Sequence, residues 1–322
     1  MQAQEGTVEG LSAAAPRAFA ASNAASQEIW LSPVDPAVWH RQKGHTQPND
    51  FMDMFDEHAP WQKAAGLAKV FMIDPDFIIY GKEDMVSRMI ADLKRRKIDL
   101  AVEMGMLYGD LKCGKMEGYL DPTAPWTLVT RLKKLGGELR YVVIDEPLFF
   151  GHREQPGGCM FPMVEVARQV AKHVADMRKT FPGLQVGDSE PIGQLHPDDW
   201  VQEIMQWIEA YRAAVGEPLA FIHVDIAWQS PIWADHLKTL YSYTHSKGIK
   251  FGIIYNGAGK NGVDWTRTAE QRFMDIESRL KIVPDLAIIQ SWEPQPDHVM
   301  PDGQPGTLTN LVVRYSTWQR KR

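Results

Sequence analysis

A chain of 322 residues with 44% apolar content can bury a large core, and one α/β barrel commonly takes about 250 residues. The formal net charge of -6 argues against a nucleic acid or an anionic membrane surface as partner. No window approaches roughly 18 continuous apolar residues, which excludes a membrane-spanning helix from the sequence reading.

Residues 1–27 are rich in Ala, Ser, Gln and Gly without a period, and they predict a disordered arm. Within them LSAAAPRAFAAS faintly resembles a processing region but lacks a basic start and a proper apolar stretch. Glu28–Pro33 (EIWLSP) is a strand candidate. A Pro- and His-rich loop follows, then Asp50–Ala68, where Pro60 is well placed to open a helix. Seven further apolar runs read as buried strands: Lys69–Asp74, Asp99–Gly105, Leu139–Pro147, Leu184–Pro191, Leu219–Trp228, Lys250–Gly257 and Asp285–Pro294.

Helical periodicity fills the gaps, at Glu83–Lys97, Pro125–Leu135, Val164–Thr180, Asp198–Val215, Ile232–His245, Asp264–Leu280 and Thr307–Gln319. Short apolar strands alternating with helices require a parallel sheet covered by helices. With Glu28–Pro33 counted there are eight strands, enough to close a (β/α)8 TIM barrel over residues 28–322, read as one domain behind the arm.

Polar residues collect at the C-terminal ends of these runs, the end at which such barrels carry their chemistry. Asp74, Glu103, Asp145 with Glu146, Asp188 with Glu190, Asp225 and Glu293 are the acids. Crowding them at one mouth costs repulsion that a purely structural barrel has little reason to keep. Cleaving a glycosidic bond needs one carboxyl that holds a proton and another that stays ionised. Glu146, Glu190 and Glu293 each precede a proline, which constrains their backbones, and are the candidate catalytic acids. Glu103, Asp188, His223, Asp225, Trp228, Tyr255, Asn256, Gln290 and Trp292 are candidates for binding a sugar through hydrogen bonds and ring stacking. The three catalytic candidates are expected to converge on one cleft walled by Trp292 or Trp228.

These residues resemble the clan A group of (β/α)8 glycoside hydrolases and its divergent relatives. In that group Asn-Glu-Pro ends the fourth strand and supplies the acid/base. A Glu ending the seventh strand is the nucleophile, and Trp commonly ends the eighth. Counting from Glu28 puts Asp145–Glu146–Pro147 on the fourth strand and Trp292 on the eighth, while the seventh ends in Tyr255–Asn256 without an acid. Counting from Lys69 instead matches Ser189–Glu190–Pro191 and Glu293 but leaves almost no chain for an eighth strand. Barrel closure favours the first count, and the missing acid at Tyr255–Asn256 then points to inversion.

The resemblance implies a hydrolase acting on an oligosaccharide or glycoside, with no cofactor. Two other readings stand beside it: an idle carbohydrate-binding barrel, and a divalent-metal lyase or isomerase using Glu103, Asp188, His223 and Asp225 as ligands. Cys113 and Cys159 follow consecutive strands and should lie close on one rim, either bonded or as two thiols. A bond would favour a periplasmic or secreted protein over a cytoplasmic one.

Overall fold

The computed structural model describes residues 27–36, 50–110, 112–153, 155–193 and 199–322. The expected arm lies outside the described residues, except for Gln27. Eight parallel strands form a closed barrel in sequence order: β1 (Glu28–Ser32), β2 (Ala68–Ile73), β3 (Asp99–Met104), β4 (Tyr141–Asp145), β5 (Gln185–Ile192), β6 (Phe221–Ile226), β7 (Lys250–Ile254) and β8 (Leu286–Gln290). β1 closes the ring, since Ile29, Trp30 and Leu31 pair with both β2 and β8. The count that begins at Glu28 is therefore the right one.

Outside the ring lie α1 (Gln62–Leu67), α2 (Pro75–Tyr80), α3 (Glu83–Arg96), α4 (Ala124–Lys134), α5 (Pro147–Gly151), α6 (Met163–Arg178), α7 (Trp200–Val215), α8 (Trp233–Ser246), α9 (Gly262–Met274) and α10 (Leu308–Gln319). Among the described residues no helix is long and apolar enough to cross a membrane. The helix expected over Asp264–Leu280 is broken, because α9 passes into a π-helical turn at Asp275–Arg279. α2 and α5 are single turns that the apolar periodicity did not predict. Each starts on a proline directly after a strand-end acid, and Asp74 caps α2 by accepting from the Asp76 amide at 2.9 Å.

Successive side chains of a strand point to opposite sides, so each strand feeds two cores. One fills the gap between barrel and helices and includes Leu31, Phe71, Ile144, Val224 and Ile253. The other plugs the barrel itself, with Trp30, Met72, Val143, Phe221 and Ile288 among its members. Trp30 meets Phe221 edge-on at 5.1 Å and the His223 ring at 4.9 Å. Two glycines make room for these rings. A Cβ at Gly187 would overlap the Phe221 ring, and one at Gly252 would lie 2.6 Å from His223 Cδ2. Gly187→Ala should therefore cost about 1–3 kcal/mol by overpacking. Urea unfolding checks this, and adding Phe221→Leu should recover part of the loss.

Candidate active site at the C-terminal mouth

The alternation that builds the two cores also decides which strand-end residues reach the mouth. Trp30, Met72, Ala101, Val143, Phe221, Ile254 and Ile288 point inward. Two residues further on, Ser32, Asp74, Glu103, Asp145 and Gln290 point the same way, as does Asp225 four residues after Phe221, and all six line a cleft of about 1090 Å³. Glu146 and Trp292 also line it.

The cleft wall is built by the loops after β3 and β4, and these loops are tied together. Cys113 and Cys159 form a disulfide with a Cα separation of 5.1 Å. Nearby, the Gly114 amide donates to the Gly157 carbonyl at 2.7 Å. Tyr119 adds a second link, donating its hydroxyl to the Phe150 carbonyl at 3.1 Å and accepting from the Cys159 amide at 2.9 Å.

Glu146 follows the last residue of β4 in the left-handed region, at φ 45 and ψ 47. That conformation is uncommon for a residue with a side chain, and it persists only where the surroundings enforce it. Here its amide donates to the Ser189 carbonyl at 3.0 Å, while its carbonyl accepts from the Phe150 amide at 3.0 Å. Burial pushes its carboxyl well above the ordinary range, and the like charges of Asp145, Asp225, Glu190 and Glu117 push the same way. Both effects favour its protonated form.

Glu103 and Asp225 face the same space from β3 and β6. Gln290 Nε2 donates to Glu103 Oε2 at 2.6 Å. Burial raises Glu103 to about 7 against that bond, helped by Glu117, Asp225 and Asp74. Burial likewise lifts Asp225 to about 6, with Glu117 adding and Arg272 opposing. Arg272 on α9 spans this side of the mouth. Its guanidinium lies 4.5 Å over the Trp228 ring and donates through Nη1 to Asn256 O, Asn256 Oδ1 and Gly257 O at 2.8, 2.7 and 3.0 Å. Trp228 Nε1 donates to the same Asn256 Oδ1 at 2.9 Å. Asn256 and Trp228 thus position the cation beside Asp225. Exposed Glu293, just beyond β8, is charge-coupled to Asp225 and Arg272 but does not line the cleft.

Three other candidates are turned away from the mouth, and a fourth lies beneath it. On β5 Ser189 faces the cleft, so Asp188 and Glu190 on either side of it face the helices. Asp188 Oδ2 accepts from Trp207 Nε1 of α7 at 2.8 Å. Glu190 is buried and spends both oxygens on the first turn of α5, accepting from the Leu148 and Phe149 amides at 2.7 and 3.2 Å. Tyr255 also faces outward, where its hydroxyl donates to Glu277 Oε1 at 2.9 Å. His223 does point inward but lies below the mouth in the plug, and burial drops it to about 3, so it is neutral. The metal-ligand set of Glu103, Asp188, His223 and Asp225 is therefore not assembled. Among the described residues no group of three or more His, Cys, Asp or Glu could hold a metal ion.

The position of Glu190 predicts a role in folding rather than at the reacting bond. Glu190→Ala leaves two amides unpaired, one of them at a buried bond, and should cost about 1–3 kcal/mol for each buried group. Denaturant unfolding measures the loss, and an unchanged midpoint would contradict it.

No family model matches the chain, and no curated protein matches it. Its barrel is related at low identity to those of solved glycoside hydrolases. A fungal β-1,4-galactanase shares 11% identity over 90% of this chain and 100% of its own, with a TM-score of 0.54. A thermostable mutant of a xylanase from Cellvibrio japonicus shares 9% over 90% and 97%, with a TM-score of 0.54. A GH10 endoxylanase from a sugarcane soil metagenome shares 9% over 89% and 96%, with a TM-score of 0.52. Identities this low carry the fold alone.

Proposed function

We propose that the chain is an inverting glycoside hydrolase with Glu146 as proton donor and Asp225 as the ionised partner. The supporting observation is the pair of carboxyls facing one cleft with different proton affinities, one held well above its ordinary range and the other at about 6 beside Arg272. At neutral pH Glu146 gives its proton to the glycosidic oxygen as the bond to the anomeric carbon breaks. A water oxygen bonds to that carbon from the opposite face, and Asp225 takes the proton the water gives up. Glu103 and Gln290 bind hydroxyls of the sugar, and Trp292 offers a ring face beside them.

Inversion rests on the seventh strand, which is followed by Tyr255 and Asn256 where a retaining relative would carry its nucleophile. Glu293 acts at the rim by raising the negative charge around Asp225, and Glu190 acts through the turn that follows Glu146. The Cys113–Cys159 bond supports a periplasmic or secreted location.

Digesting a panel of neutral, N-acetylated, amino and acidic glycans, with NMR detection of the first-formed anomer, tests this reading. Inverted product from the parent, abolished by Asp225→Asn, is the expected result. Retained product would exclude Asp225 as base. Binding without any cleavage would leave a carbohydrate-binding barrel.

A further inference from the structure

All but one of the residues of α2 are packed away. Pro75, Asp76, Phe77, Ile78 and Ile79 are buried, whereas Tyr80, which ends the turn, is 71% exposed and lines the cleft. Among the described residues its hydroxyl makes no hydrogen bond, and its ring meets no other ring or cation.

The backbone beneath this free ring is fixed. Arg131 of α4 donates through Nη1 to the Ile79 carbonyl and through Nη2 to the Gly81 carbonyl. These carbonyls flank Tyr80 at a helix end, where such groups have no partner within the helix. The Gly81 amide closes the turn on the Phe77 carbonyl at 3.1 Å. The chain passes so near that a Cβ on Gly81 would lie 2.3 Å from that oxygen. A lone exposed aromatic is ordinary on a protein surface. One mounted on a clamped turn inside a cleft is better suited to binding, because little freedom is lost when a ligand covers it. A tyrosine face is apolar enough to cover the C–H side of a sugar ring, and its hydroxyl stays in reach of water or a sugar hydroxyl.

The position of Tyr80 in the ring sets the span. It belongs to the unit that follows β2, and β2 stands opposite β6, which bears Asp225. A sugar stacked on Tyr80 is therefore a different unit from the one held at Asp225. The cleft of about 1090 Å³ exceeds the ~300–1,000 Å³ usual for a pocket that takes one small molecule, so it has room for both.

We infer that Tyr80 is the platform of an outlying sugar subsite, and that the cleft takes a chain of several sugars rather than a small glycoside. This rests on the proposed hydrolase reading and deepens it by naming the substrate class.

Calorimetric titration of Glu146→Gln with ladders of cello-, manno-, chito- and galacturono-oligosaccharides, from the disaccharide upward, tests the inference. Affinity for at least one ladder should rise with length, and adding Tyr80→Ala should remove about tenfold from the longest member. The loss should be smallest for the disaccharide. Tyr80→Phe should keep most of the gain, since the ring face carries it. Trp126, 61% exposed but outside the cleft, supplies the control, and Trp126→Ala should change nothing. Because the Tyr80 ring is mostly in water, Tyr80→Ala should leave the unfolding midpoint in place. No loss with Tyr80→Ala, or an equal loss at every length, would overturn the inference. Length-dependent binding that needs Tyr80, with no cleavage by the parent, would uphold it and defeat the hydrolase reading. Cleavage that depends on Glu146 but is indifferent to Tyr80 at every length would do the reverse. If no ladder binds, both fall.

Discussion

Replacing Glu146 by Gln should lower turnover by roughly 10²–10⁴-fold and leave the unfolding midpoint unchanged or slightly raised. The amide keeps the size and the hydrogen-bonding shape of the protonated acid, but it has no proton to give. The backbone contacts that hold the left-handed conformation, to Ser189 and Phe150, are untouched by the change. Stability should not suffer, because this half-buried carboxyl stands among like charges and its ionised form is a burden on the fold. A substrate whose leaving group needs no proton should lose much less. Full activity of Glu146→Gln on a natural-type glycoside would remove Glu146 as donor, whatever the fate of the other acids.

The pH profile should be a bell whose acid limb reports Asp225. Below about 6 that group is protonated, and the rate should drop by about tenfold for each unit of pH. The alkaline limb follows loss of the Glu146 proton, at a value well above that of an ordinary carboxyl. Arg272 opposes the rise of Asp225, so Arg272→Met should carry the acid limb to higher pH, and a limb that stays in place would show the guanidinium to be merely structural.

Stability should run the other way. Glu103 goes from 4.5 to about 7 and Asp225 from 3.8 to about 6 on folding. An acid whose folded value is raised binds its proton more tightly in the native state. Its contribution is complete below the unfolded value and is lost as pH rises through the folded one. Each of these two groups therefore costs on the order of 3 kcal/mol once ionised. The urea midpoint should be lower at about pH 8 than at about pH 5, and Glu103→Gln should flatten the difference. On the proposed mechanism, activity would then peak at a pH above that of greatest stability.

The barrel was legible because its signals are local. Apolar runs of strand length recur between helical periods, and EIWLSP completes the count that β1 then bears out by pairing on both sides. Glu103, Asp225, Gln290 and Trp292 were legible as well, since each falls at the inward parity of its strand end.

The mistake about β5 has a definite physical origin. Its sequence QVGDSEPI carries one early apolar residue, and two acids flank a serine. Val186 packs with the outer core and Gly187 makes room for Phe221 inside. Counting parity from either residue sends Asp188 and Glu190 outward, so the signal was present but was outweighed by the attraction of Glu-Pro. Tyr255 follows the same rule, two residues after outward Ile253. Asp35 and Glu117 had no such signal, being on loops without a period. Arg272 could not be paired with Asn256 from sequence, because they stand sixteen positions apart with most of α9 between them.

The disulfide encloses more than two loop tips. Between Cys113 and Cys159 run α4, β4 and the turn that bears Glu146. A protease that cut the exposed parts of this segment would leave the two pieces covalently joined. The nicked protein should migrate as one band without reductant and as two with it. Because β4 is paired on both sides within a closed ring, the joined pieces have no easy way to separate. In surroundings rich in peptidases, a cut in the wall need not end the working life of the molecule.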